Sequence, residues 1–337
     1  MSKPAREQIS EFCEATVGFS SSNGRKVKTD HQMHNIQDCI NRVAIKSQPL
    51  ATQGQLAGYI PALKRVDPSK FGFAVATLDG DVYTTGDADE PFSIQSISKL
   101  FALVLASSRE GDSLWMRVGR LPSSNQFNSL VELELESGKP RNPFLNPGAL
   151  VVSDLLYSRN TQMERAVVTL LRELSCNPSI NYDMEVAAGE FACAHRNKAA
   201  AYLMKSFNNF HNSVDEVVSA YCAQCAIAAS CRDLAVSALF LANAGVDRDG
   251  RQVLQPRQVQ QVCALMMSSG TYEASGETAF SIGLPIKSGV GGGVLAVIPR
   301  FGAVCAWSPP LDETGTSIAA LKAVELFAIE MHKTVFA

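Results

Sequence analysis

The sequence predicts an α+β fold in which one antiparallel sheet, contributed by both ends of the chain, is flanked by helices and carries an inserted helical subdomain. Strand-like segments occur early, at residues 71–87, and late, at residues 280–308. Between them, apolar residues recur at a spacing close to the period of an α-helix. Strands from both chain ends bury their apolar faces when they pair in one sheet and helices pack on it.

The first elements set the domain organisation. Residues 1–30 are polar and include the serine-rich stretch SSSNGRK, which predicts an N-terminal tail. Residues 31–337 are then expected to form a single domain, which begins with a helix from near His34 to Ile45.

The early strands form a hairpin in this prediction. The stretch FGFAVATLDGDVYTTGD reads as two strands joined at Asp79-Gly80, a dipeptide typical of tight hairpin turns. The segment PFSIQSISKLFALVLASS follows, which begins polar and continues as an apolar helix containing Ser96.

The helical subdomain is expected at about residues 110–270. Five segments show helical spacing, namely NPGALVVSDLLYS, QMERAVVTLLRELS, AAAYLMKSF, VDEVVSAYCAQCAIAAS and RDLAVSALFLANAG. Asp233 and Asn243-Ala-Gly245 are typical of a helix start and a helix end.

Strands are predicted again near the C-terminus. The stretches FSIGLPIKSGV and GGVLAVIPRFGAVCAWS provide them, and residues 299–302 turn the second stretch into a hairpin. The final segment, TSIAALKAVELFAIEMHKTV, predicts a helix capped by Thr316 or Ser317.

Composition excludes several classes of function. The formal net charge is -3 and the charges are well mixed, which argues against nucleic acid or an anionic membrane as a partner. The sequence shows no signal-peptide core and no apolar run long enough to cross a membrane, and its nine scattered cysteines fit reduced thiols, so we expect a cytoplasmic protein. Cys222 and Cys225 lack a second pair at zinc-ligand spacing, so the sequence calls for no metal.

A candidate nucleophile lies at the start of the apolar helix. Ser96 is the only serine followed three positions later by a lysine, Lys99, and residues three apart share one face of a helix. Far downstream, Lys287 precedes Ser288-Gly289 on a predicted strand that enters a glycine run. The alternative is a polar helix start whose Lys99 extends to water.

These residue types suit acyl transfer. Serine becomes a nucleophile when a base removes its proton, and a buried Lys99 near Lys287 would have its pKa lowered by desolvation and like charge. The backbone N–H groups of Ser96 and of the SGV segment could form an oxyanion hole.

The order of these elements resembles the penicillin-recognising serine hydrolases, which have a β-lactamase/transpeptidase-like fold. Longer motifs from about Tyr59 to the C-terminal helix are similar to the serine-dependent glutaminases, which hydrolyse L-glutamine to L-glutamate and ammonia. These motifs are the stretch from GYIPALKRVDPSK to IQSISKLFAL, and RNPFLNPGAL, RNKAAAYLMKSF, GLPIKSGVGGG and CAWSPPLDETG.

The resemblance implies specific roles. Ser96 matches the nucleophile, Lys99 the base, Tyr272 a proton relay and Val290 the backbone donor of the oxyanion hole. The remaining matched positions line the site or hold the α-amino and α-carboxylate groups of the substrate: Tyr59, Gln95, Asn146, Glu190, Asn197 and Tyr221. The resemblance also implies a homodimer or homotetramer, and a reaction that requires neither metal nor organic cofactor.

Other interpretations remain open at this stage. Taken singly, Asn146 also fits a helix cap, Glu190 and Asn197 fit a solvated helix face, and the tyrosines fit core packing. A β-lactamase or transpeptidase is an alternative enzyme, although no clear Ser-x-Asn element is present. A non-catalytic amino-acid-binding protein on the same scaffold is the alternative from another class. It is motivated by departures from the family pattern: Pro147 after Asn146, Gly189 before Glu190, and His195.

Overall fold

The computed structural model describes residues 30–123 and 130–336, with side chains from Ile36 onward. The chain divides into two units, Met1–Asn35 and Ile36–Ala337. Of the first unit, only residues 30–35 are described, and they are helical. The predicted polar tail lies almost wholly outside the described residues. Its extent, the single domain over 31–337 and the limits of the helical subdomain stay predictions.

A five-stranded antiparallel sheet in the order β2-β1-β8-β7-β6 forms the centre of the second unit. The early strand β1 pairs on one side with β2 and on the other with the late strand β8, where Phe73 lies opposite Ala306. The predicted sheet from both chain ends is thereby confirmed. The eight strands of the described residues are β1 (Gly72–Thr77), β2 (Val82–Gly86), β3 (Phe92–Ser93), β4 (Asn181–Tyr182), β5 (Ile227–Ala229), β6 (Ile286–Ser288), β7 (Gly293–Ile298) and β8 (Gly302–Trp307).

Fourteen α-helices occur in the described residues, and most lie between β2 and β6, as predicted. They are α1 (Asp30–Ser47), α2 (Ser98–Glu110), α3 (Leu114–Arg117), α4 (Val131–Leu135), α5 (Asn146–Arg159), α6 (Met163–Ser175), α7 (Met184–Ala192), α8 (His195–Ser206), α9 (Val214–Cys225), α10 (Cys231–Ser237), α11 (Leu239–Ala242), α12 (Pro256–Ser269), α13 (Ser275–Ser281) and α14 (Ile318–Glu330). None of the helices in the described part of the chain has the length and apolarity needed to span a bilayer.

Both faces of the central sheet are buried. Successive side chains of a strand point to opposite faces, so each strand contributes to both cores. On β1, Phe73 and Val75 pack with α1 and α14, and the Phe73 ring meets Phe327 of α14 edge to face at 5.7 Å. Ala74 and Ala76 point to the other face and join the core that contains α2 and α10. Small side chains on that face let α10 approach the sheet closely.

The second sheet, in the order β3-β5-β4, was not predicted. Its middle strand, β5, falls within the segment VDEVVSAYCAQCAIAAS, for which the sequence predicted one continuous helix. That prediction is wrong after Cys225, where α9 ends. The β3 strand leads directly into the turn that contains Ser96.

Two further predictions need correction. The segment FSIGLPIKSGV is a strand only over Ile286–Ser288, because Phe280 and Ser281 complete α13. The segment RDLAVSALFLANAG is broken at Ala238 into α10 and α11.

The residues predicted to form turns and helix ends are largely confirmed in those positions. Gly80 adopts φ +95° in the β1–β2 turn, a conformation that glycine tolerates without steric cost. Ser317 rather than Thr316 caps α14, with its hydroxyl accepting from Ala320 N at 3.3 Å. Asp233 is the third residue of a capping box whose N-cap is Ser230.

Candidate active site

Ser96 lies in a short 3-10 turn, Gln95–Ile97, between β3 and α2. Lys99 is the second residue of α2, so the Ser-x-x-Lys element spans the junction of turn and helix. Gln95 adopts φ +48°, a left-handed conformation that costs on the order of 1–3 kcal/mol in a non-glycine residue. Such strain is typical of a functional turn that its surroundings hold in place.

The hydroxyl of Ser96 forms a hydrogen bond with that of Tyr272. Tyr272 begins a 3-10 turn, Tyr272–Ala274, and is a second site residue with positive φ, at +57°. Burial raises the pKa of its phenol above the ordinary value, and the hydrogen bond from Ser96 only partly offsets this, so the group is a neutral phenol near pH 7.

Lys99 is 1% exposed, which rules out the interpretation that it extends to water. Its Nζ donates to Asn146 Oδ1 at 2.7 Å and to the Phe144 carbonyl oxygen at 3.1 Å. Burial lowers its pKa to about 8, although Cys225 and Glu190 act in the opposite direction. A substantial fraction of this amine is therefore neutral just above neutral pH, as a general base requires.

Lys287 is a second fully buried amine. Its Nζ donates to the carbonyl oxygens of Gly270 at 2.8 Å and of Ser288 at 2.6 Å. Burial lowers its pKa well below the ordinary range, and the charge of Lys99 lowers it further. Desolvation lowers the pKa of Lys99, as expected, and the like-charge interaction of the two amines is expressed at Lys287.

The loop between β6 and β7 packs directly against the turn that contains Ser96. A Cβ added to Gly289 would lie 2.6 Å from the Ile94 carbonyl oxygen and 3.3 Å from Ser96 N, and one added to Gly291 would lie 1.9 Å from the Ser93 carbonyl oxygen. These glycines permit close approach of two backbone segments. Val290 lies between them, and within the described ranges no group accepts a hydrogen bond from its backbone N–H. That N–H and Ser96 N belong to neighbouring segments, as an oxyanion hole requires.

Hydrogen bonds join four of the predicted substrate-site residues in two pairs. Asn146 Nδ2 donates to Asn197 Oδ1 at 3.0 Å, and Gln95 Nε2 donates to Glu190 Oε2 at 3.3 Å. Burial raises the pKa of Glu190 to about 7, whereas its hydrogen bonds from Gln95 and Cys225 act in the opposite direction. Glu190 is therefore not on a solvated helix face.

Asn146 does not cap a helix, since the N-cap of α5 is Leu145. Tyr221 is 2% exposed and its phenol hydrogen-bonds Cys225. Tyr59 is 55% exposed as a residue, but its phenol lies near Glu190 and Tyr272, and desolvation of the phenol, followed by the Glu190 charge, raises its pKa.

Two residues that form hydrogen bonds with these site residues, Ser93 and Cys225, were not predicted from the sequence. Ser93 Oγ accepts from Gln95 Nε2 at 3.0 Å, and Cys225 hydrogen-bonds both Glu190 and Tyr221. A signal for Cys225 was present, because it follows Tyr221 by four residues and thus shares its helix face.

The fold and this site define the class: an enzyme with a β-lactamase-like fold and a Ser-x-x-Lys element at the start of a central helix. The family model described as glutaminase matches residues 54–336. A glutaminase of Pseudomonas entomophila is 48% identical over 302 residues, which cover 89% of this chain and 99% of that protein. A glutaminase of Cronobacter sakazakii is 49% identical over 308 residues, which cover 91% and 99% of the two chains.

Solved structures are similar in the same way. The probable glutaminase ybaS superimposes with a TM-score of 0.86 at 34% identity and covers 90% of this chain and 98% of its own. A probable glutaminase from Bacillus subtilis, complexed with 6-diazo-5-oxo-L-norleucine, has a TM-score of 0.80 at 29% identity, with 92% and 98% covered. The chain belongs to the glutaminase family, whose members are amidohydrolases that act on glutamine.

Proposed function

We propose that this glutaminase hydrolyses the side-chain amide of L-glutamine through a glutamyl ester of Ser96. The single observation that carries the proposal is the contact of the Ser96 hydroxyl with a buried phenol, Tyr272, beside a buried amine, Lys99, whose pKa is near neutrality. Lys99 Nζ lies 5.7 Å from the centre of the Tyr272 ring, so the phenol offers a route from the serine hydroxyl to a base, as activation of a nucleophile requires.

The proposed first step is attack by Ser96 Oγ on the amide carbon. The hydroxyl proton passes to neutral Lys99, by way of the Tyr272 phenol, and the backbone N–H groups of Ser96 and Val290 stabilise the oxyanion. The amide nitrogen takes a proton from the same relay and leaves as ammonia. Water then hydrolyses the ester, with the relay acting as base again, and glutamate is released.

The charged end of glutamine is matched by the opposite part of the site. The Glu190 carboxylate is the partner that we propose for the α-ammonium group, because the ammonium charge would stabilise the ionised form of a partly buried acid. The amide and phenol donors suit the α-carboxylate. They are provided by Asn146, Asn197 and Tyr221, with Tyr59 and Gln95 lining the pocket.

The test is ammonia release from L-glutamine, with L-asparagine in parallel, by the wild type and by folded Ser96→Ala. We expect turnover of glutamine that falls by at least about 10³-fold in the variant. Mass spectrometry of the acid-quenched wild type should show a glutamyl adduct on the peptide containing Ser96. Undiminished activity in Ser96→Ala would overturn the serine mechanism.

The same experiment separates the alternatives. Binding of glutamine by a folded wild type without turnover, across pH and with phosphate added, would favour the amino-acid-binding protein. Hydrolysis of a chromogenic cephalosporin that depends on Ser96 would favour the β-lactamase or transpeptidase.

We also propose that the enzyme is cytoplasmic and assembles as a homodimer or homotetramer. The eight cysteines of the described residues are all free thiols, which supports a reducing compartment. Cell fractionation tests the compartment, and light scattering coupled to size-exclusion chromatography tests the assembly.

A further inference from the structure

A buried thiol lies among the groups that we propose to bind the substrate. Cys225 is 1% exposed and sits at the end of α9, one helical turn after Tyr221. Its sulfur accepts hydrogen bonds from the hydroxyls of Tyr221 and Ser98, and its S–H donates to the Glu190 carboxylate. Gln224 Nε2 donates to Ser98 Oγ at 3.1 Å and fixes the latter hydroxyl. The thiol therefore joins α9, α2 and α7 at one point.

The same cysteine also closes a ring of hydrogen bonds. Its backbone carbonyl accepts from Ser93 Oγ at 3.2 Å, and Ser93 Oγ accepts from Gln95 Nε2 at 3.0 Å. Gln95 Nε2 also donates to Glu190 Oε2 at 3.3 Å, and Glu190 in turn accepts from the Cys225 thiol. Each member thus constrains the next, and the ring contains both the acid and the strained residue that precedes Ser96.

We propose that Cys225 and Ser93 are positioning residues that fix the Glu190 carboxylate for recognition of the α-ammonium group of the substrate. This inference rests on the proposed function, in which Glu190 binds that group. Glu190 has only hydrogen-bond donors of modest strength within the ring, namely an amide and a thiol. Each donor fixes one lone-pair direction of the carboxylate oxygens. The ammonium group of the bound substrate then donates hydrogen bonds to the remaining lone pairs.

The positioning role affects substrate binding more than the chemical step. The α-ammonium group does not change during amide hydrolysis, so its contact with Glu190 stabilises the ground state and the transition state alike. Loss of a donor from the ring should therefore raise KM more than it lowers kcat. A purely structural defect would lower the amount of active enzyme instead.

Ligand binding without turnover measures recognition of the ammonium group directly. Dissociation constants of L-glutamate and of glutarate, which lacks the amino group, are determined by calorimetry, and the ratio of the two reports the ammonium contact. We expect Cys225→Ala to reduce the preference for glutamate about 10-fold, since a hydrogen bond to a charged group is lost. Cys225→Ser, which keeps a donor, should retain the preference within about 3-fold. Cys222→Ala removes a thiol from a fully buried position earlier on the same helix and should leave the ratio unchanged.

Ser93→Ala opens the ring at a partly exposed position and keeps the test decisive if Cys225→Ala does not fold. It should lower the preference about 3-fold. Glu190→Gln separates the role of Glu190 itself from the positioning role of Cys225 and Ser93. If this variant keeps the wild-type preference, the proposed role of Glu190 is wrong. If it loses the preference while Cys225→Ala and Ser93→Ala both keep it, the positioning role is overturned and the role of Glu190 stands.

Discussion

Lys287 Nζ lies 4.4 Å from the centre of the Tyr272 ring, and Lys99 Nζ lies 5.7 Å from the same centre. Burial, and then the charge of Lys99, lower the pKa of Lys287 well below its ordinary range. Its hydrogen bond to the Gly270 carbonyl holds the backbone two residues before Tyr272. The amine thus supports the strained turn that presents the phenol to Ser96.

We expect Lys287→Met to lower kcat by about 10- to 100-fold, because the phenol loses its support. The pH midpoint of kcat that reports Lys99 should move by less than about half a pH unit, since burial rather than a charge on Lys287 lowers the pKa of Lys99. The measurement is kcat across pH, with Lys322→Met on the surface of α14 as the control. An acid limb that moves by more than about one pH unit would mean that Lys287 carries a charge at working pH.

The pH dependence of the wild type follows from two groups. The proposed mechanism requires an ionised Glu190 and a neutral Lys99, and their pKa values are about 7 and about 8. Protonation of either group on the acid side removes activity, so kcat/KM should fall as pH decreases through 8 and then 7. Lys99 alone should govern kcat once the substrate has paired with Glu190.

Asn146→Asp tests the base through this profile. A carboxylate would replace the amide whose Oδ1 accepts from Lys99 Nζ at 2.7 Å, and it would stabilise the charged amine. The acid limb of kcat should therefore move about one pH unit or more to higher pH, which lowers the rate at pH 7 about 10-fold. An unchanged limb in a folded variant would exclude Lys99 as the group that titrates.

The sequence predicted the central sheet because its strands carry long, unbroken apolar patterns at both chain ends. It could not predict β5, since Ile227–Ala229 is only three residues long and continues the alanine-rich composition of α9. The candidate site residues were predicted from motifs. Their pairings did not, because Lys99 with Asn146 and Cys225 with Glu190 join helices that are far apart in sequence.

Gly291 tests the close packing of the loop that carries Val290. A Cβ there would lie 1.9 Å from the Ser93 carbonyl oxygen, so Gly291→Ala must displace backbone from backbone. We expect kcat to fall about 100-fold and the free energy of unfolding to drop by about 1–3 kcal/mol.

Gly276→Ala is the matched control for Gly291→Ala. A Cβ at this position in α13 meets nothing within 4 Å, so the substitution should leave kcat unchanged and stabilise the fold by about 0.5–1 kcal/mol. Full activity of Gly291→Ala with an unaltered Tm would show that the loop need not pack closely.

Asp154 lies outside the candidate active site, and its substitution tests a contribution to folding stability. This carboxylate is fully buried and accepts from Arg117 at 2.7 Å, from Asn212 N at 2.9 Å and from His211 N at 3.1 Å. Asp154→Ala leaves a cation and two backbone donors without their acceptor, and we expect it to lower the free energy of unfolding by about 3–5 kcal/mol. Asp215→Ala, which breaks an exposed pair with Lys198, should cost less than about 1 kcal/mol.

The pH dependence of this contribution has a definite sign. Burial alone would raise the pKa of Asp154, but the hydrogen bonds from Arg117 and from the Asn212 and His211 segment outweigh it, so the pKa is lowered. A lowered pKa means that the ion contributes its full stability above the unfolded value of about 3.9 and loses it as pH falls through the folded value. The difference in unfolding free energy between wild type and Asp154→Asn, measured in urea from pH 7 to pH 3, should therefore shrink with acidification. A difference that stays constant over this range would mean that the contribution of Asp154 is not that of its charge.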